Sequence, residues 1–137
     1  VESHFYFLNS TSTPVIIGAY GSGSQTQEES ANQIGILEAI LGNSPGGGTP
    51  LCRTIDQVIK RDIRPAVEEL RAAGQRISLV ICSDGESSDG KVSSHLRVLH
   101  GLPVWVVVRL CTDEDKVSHS TLLQLVGCGC YVYRPTS

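Results

Sequence analysis

Two short stretches hold the residues best able to do chemistry. SDGESSDG, over 83–90, sets Asp84, Glu86 and Asp89 within six positions, directly after an apolar run. GGGTP, over 46–50, offers Thr49 behind three glycines and before a proline. A hydroxyl beside a carboxylate, with room for water, suits a hard cation such as Mg²⁺, which takes oxygen ligands and keeps part of its hydration. Asp84 stands where open α/β sheets bind ligands, beyond the carboxyl end of a strand. Thr49 also reads as a helix N-cap with Pro50 at the first helical position, and a cap residue can face a ligand at the same time. Asp-Gly is a strong turn signal as well, and Asp89-Gly90 reads as a turn before the next helix, with at most an indirect role at a metal.

Other chemistries find less support. GGGTP is not followed by the Gly-Lys-Ser/Thr of a phosphate loop. Cys128 and Cys130, in GCGC, are too close for a Cys-x₂-Cys metal knuckle. GSGSQ lacks the spacing of a hydrolase elbow. His4, His95, His100 and His119 are scattered, with no carboxylate or serine partner beside them in sequence. A small α/β hydrolase or phosphotransferase built on Asp84 would need a general base or a phosphate-gripping lysine, and only Lys91 lies near.

The elements that must position these residues are legible as periodicities. Val1–Leu8 and Val15–Ala19 read as strands, and so short a connection makes them antiparallel, since a parallel crossover needs a dozen or more residues. From Glu28 to Leu41, Ala31, Ile34, Leu37 and Leu41 keep helical spacing, with Gly42 as the stop. Leu51, Ile55, Val58, Ile59, Ile63, Ala66, Val67 and Leu70 form one long stripe, which Pro65 should kink or break near Arg64. ISLVICS (77–83) and PVWVVVRLC (103–111) read as parallel strands buried on both faces. Val92, Leu96 and Leu99 mark a short helix stopped by Gly101. TDEDK opens another helix, its acidic residues favoured by the macrodipole, and CYVYR is the last strand. Strands alternating with helices give an α/β class with a mostly parallel sheet, one antiparallel edge strand and a single domain over 1–137.

The pairing of GGGTPL with VICSDG, in register with that element order, resembles the von Willebrand factor A (VWA) family and its metal-ion-dependent adhesion site. The resemblance covers the chain from Glu2 onward. It implies a Rossmann-like three-layer sandwich in which Thr49 and Asp84 ligate Mg²⁺, Ca²⁺ or Mn²⁺, while Gly48 and Gly85 let the backbone approach closely. An acidic residue of a protein partner then completes the metal shell. The family's Asp-x-Ser-x-Ser does not occur here. Asn9-Ser10-Thr11-Ser12-Thr13 mimics its spacing, but a strand follows it where the family has a helix, so it reads as a hairpin turn. The resemblance therefore implies a domain incomplete at its N-terminus, lacking a strand, a metal loop and a helix of roughly 30 residues. Such a chain is expected to be poorly stable and to hold its cation weakly. A VWA-like scaffold that binds no metal is the alternative function.

Composition bounds the partners. At net charge −3, with no basic stripe, the chain is not a nucleic-acid surface. No apolar run reaches the roughly 20 residues that span a bilayer, and the opening VESHFYFLNS reads as a strand and not as a signal peptide. Five cysteines, an odd number spread over a helix and strand ends, suit a reducing, intracellular setting over a disulfide framework.

Overall fold

The computed structural model describes residues 2–9, 13–18, 26–43, 46–83, 86–111 and 131–133. The chain is mixed α/β and divides into two compact units, one ending at Gly47 and one beginning at Gly48.

In the first unit, β1 (Ser3–Phe5) pairs antiparallel with β2 (Val15–Ile17), Ser3 opposite Ile17 and Phe5 opposite Val15. The antiparallel hairpin follows from the short connection, although both strands are shorter than the apolar runs suggest. Helix α1 (Gln27–Leu41) opens with a capping box: Thr26 Oγ1 accepts from the Glu29 N–H, and the Glu29 carboxylate accepts from the Thr26 N–H. The expected apolar stripe is not its buried face. Ser30 is buried, while Ile34 and Leu41 are 43% and 68% exposed. With Ile36 also exposed, the apolar residues of α1 are spread around the helix and not gathered on one side.

In the second unit, α2 (Leu51–Val58) and α3 (Arg64–Ala73) are joined without interruption by a π-helical turn, Ile59–Ile63. Here the expected kink at Pro65 is replaced by a wider turn. The Arg64 N–H reaches back five residues to the Ile59 carbonyl, and Pro65 falls in the first turn of α3, where a missing N–H leaves no bond unmade. The stripe stays on one side: Leu51, Ile55, Val58, Ile59, Ile63 and Val67 are all buried, Ile63 completely. Gly74 ends α3 in the left-handed conformation (φ 64°), which glycine adopts without strain.

Strand β3 (Ile77–Ser83) lies parallel to β4 (Val104–Leu110), and β4 to β5 (Tyr131–Tyr133), giving the order β3-β4-β5. Between β3 and β4 run α4 (Val92–Leu96) and a 3₁₀ turn (Arg97–Leu99), which bury Val92, Leu96 and Leu99. The strands are not buried on both faces as their apolar runs suggest. Ile81, Ser83 and Val108 face the core, whereas Val80 and Trp105 are 58% and 56% exposed. Among the described residues β3 is an edge strand, paired only with β4. The helix expected after TDEDK falls outside the described residues.

Ile63 is the keystone of this packing. Ile63→Ala is expected to cost about 2–5 kcal/mol, the range for truncating a buried branched side chain, read as a lowered urea midpoint at unchanged slope. A loss under about 1 kcal/mol would mean that the stripe is not the core.

Candidate metal-binding loops

The two stretches singled out by sequence meet in the second unit. The Ser88 N–H donates to the Thr49 carbonyl at 2.9 Å. Gly48 is what allows this approach: a Cβ there would lie 2.8 Å from Ser88 Oγ and 3.2 Å from its Cβ. Gly48 is thus set close against the Ser88 side chain. Asp84 and Gly85 lie outside the described residues; their flanks, Ser83 at the carboxyl end of β3 and Glu86, are described. Ser83 is buried, and its carbonyl accepts from the Cys111 N–H at 2.9 Å.

Thr49 is not the helix cap that its position suggests. Pro50 is the N-cap residue and makes no side-chain cap bond, while the Leu51 N–H donates to the Thr49 carbonyl at 2.8 Å. Asp89 supplies the cap instead, from across the fold. Its Oδ1 accepts from the Cys52 N–H at 3.0 Å, and its Oδ2 accepts from the Arg53 N–H at 2.9 Å. The Ser87 hydroxyl donates to Oδ1 at 2.6 Å. Asp89 is thus more than a turn residue: it answers two of the amides that every helix start leaves open. Partial burial works to raise its pKa, but the Ser87 hydroxyl and the Arg53 and Cys52 amides outweigh it and hold the carboxyl down to about 2, against 3.8 ordinarily. Burial pushes the neighbouring Cys52 thiol up, with Ser87 opposing and Asp89 adding to the rise, and Cys52 is packed in the core.

Helix α2 is tied to α4 as well. His95 Nδ1 lies 2.7 Å from Asp56 Oδ1, pairing residues 39 apart in sequence. Arg53, Asp56, Lys60, Asp89 and His95 line an open groove of about 390 Å³ along α2, which does not include Thr49. Lys91, the one cation that an Asp84 enzyme could recruit locally, is exposed and directly precedes α4. Among the described residues no group of three or more His, Cys, Asp or Glu side chains could hold a metal.

No family model matches the chain, and no curated protein and no solved structure matches it.

Two outcomes test the clasp. Asp89→Ala is expected to destabilise the chain by about 1 kcal/mol, the usual worth of an N-cap. Because the folded carboxyl titrates below its ordinary value, its contribution is fully present well above pH 3.8 and fades as pH falls toward about 2. The two proteins should therefore differ in stability at neutral pH and converge in acid; a constant difference across that window would remove Asp89 as the cause. Gly48→Ala is expected to cost about 1–3 kcal/mol through the clash with Ser88, and Ser88→Gly should restore most of it in a double-mutant cycle.

Proposed function

We propose that this chain is a VWA-like module, a Rossmann-like sandwich whose loops bind a divalent cation and, through it, an acidic residue of a protein partner. Thr49 contributes a hydroxyl and Asp84 a carboxylate, directly or through water. Hard oxygen donors of this kind suit Mg²⁺, Mn²⁺ or Ca²⁺. The observation that carries the reading is the clasp between the loops: the Ser88–Thr49 backbone bond and the Asp89 cap bring the Thr49 backbone against the segment that carries Asp84. The Thr49 side chain also takes no part in capping α2, which leaves it available to a cation. A cation held by two protein ligands keeps coordination positions for water and for a carboxylate from outside. That gives a protein-binding role and not a catalytic one.

Among the described residues no helix is long and apolar enough to cross a membrane. The reading is tested by calorimetric titration of the chain with Mn²⁺ and Mg²⁺, beside Asp84→Ala and Thr49→Ala. Weak binding is expected, lost in Asp84→Ala and reduced in Thr49→Ala. Heat unchanged by either substitution would discard the site, and absence of heat from the unaltered chain would favour the scaffold function.

A further inference from the structure

A second cluster of ligating groups lies on the exposed side of the β3-β4 pair, turned away from the buried Ile81 and Val108. Cys82 on β3 is the register partner of Arg109 on β4. Cys111 follows Arg109 by two residues and therefore projects to the same side. The backbone there is fixed by the Cys111 N–H bond to the Ser83 carbonyl. Both thiols are free and exposed. Burial pushes the Cys82 thiol up and the neighbouring Cys111 thiol adds to the rise, while the Arg109 guanidinium opposes it; Cys111 Sγ also faces the Arg109 carbonyl at 3.8 Å.

We propose that Cys82 and Cys111 form a dithiolate site for a soft, two-coordinate cation of the Cu(I) class. Their diagonal placement decides against a direct disulfide. One strand spacing sideways and two residues along the strand set their Cα atoms about 8 Å apart, beyond the roughly 7 Å that a disulfide tolerates. An ion seated between the sulfurs spans the wider gap. Zinc would ask for four ligands, whereas a two-coordinate cation is met by the two thiols that the register sets on one face. Thiolates select soft Cu(I) over hard cations, which sets this site apart from the oxygen donors Thr49 and Asp84. The binding step is balanced without any oxidant: Cu⁺ displaces one proton from each thiol, two S–H bonds are replaced by two S–Cu bonds, and both protons go to solvent. The product carries one net negative charge, and Arg109 stands beside it as counter-charge.

The test uses the full chain, reduced and kept from oxygen, with Cu(I) delivered from a coloured bis-chelate. Cys52→Ser/Cys128→Ser/Cys130→Ser leaves only the proposed pair and is expected to take up one Cu(I), with two sulfur neighbours by X-ray absorption. Cys82→Ser/Cys111→Ser in the unaltered background should lose one equivalent while keeping its circular dichroism. Arg109→Ala should weaken uptake about tenfold, as loss of a supporting group does. A folded triple variant that takes up no Cu(I), or an unaltered stoichiometry in Cys82→Ser/Cys111→Ser, would overturn the proposal.

Discussion

The second unit turns on a carboxylate that belongs to no helix. A helix start leaves its first amides without partners, and here two of them are met by Asp89 from the loop between β3 and α4. One interaction thereby does three things. It completes α2, it anchors the segment ahead of α4, and it brings Ser88 to the Thr49 carbonyl. An ionised acceptor makes stronger bonds than a neutral one and gains from the helix dipole. Conformational freedom lost by this loop is therefore offset at the point where it docks. Gly48 belongs to the same arrangement, because any side chain there would push Ser88 away.

Beneath the clasp lies the stripe from Leu51 to Val67. A plain α-helix repeats every 3.6 residues, and the spacing of Ile59, Ile63 and Val67 is kept through a region where proline would ordinarily end the pattern. The π turn absorbs one extra residue, so α3 still presents Val67 to the core. His95 and Asp56 then link α2 to α4 on the solvent side of the same packing.

Much of this was legible because it is local. The stripe of 51–70, the strands at 77–83 and 104–110 and the buried trio Val92, Leu96 and Leu99 each follow from periodicity within a short window. The approach of the GGGTP loop to SDGESSDG also appeared, as a matter of strand ends. What the sequence concealed is relational. Asp89 lies 37 residues from the amide of Cys52, and nothing local distinguishes a carboxylate that caps a distant helix from one that makes a turn. The capping box at Thr26-x-x-Glu29, by contrast, is local and has a known signature, so it could have been read. The apolar run of β3 records hydrophobicity but not neighbours. A continuous apolar run suggests two-sided burial, yet Val80 lies open. In α1, helical spacing named a face that does not coincide with the buried one.

The π turn and Pro65 carry a consequence for how this helix can change. A proline inside a regular helix costs about 3 kcal/mol, through a lost bond and a clash with the carbonyl four residues back. A π turn in an otherwise regular helix is also unfavourable, since such turns are rare. Side by side they relieve one another, because the widened turn makes room for the ring and begins a fresh helix around it. Their effects are therefore non-additive in the sense that governs neighbouring residues. Straightening the turn by deleting one residue harms the helix while the proline stays, and becomes harmless once the proline has gone. Whether a change in this segment is tolerated therefore depends on whether its neighbour has already changed.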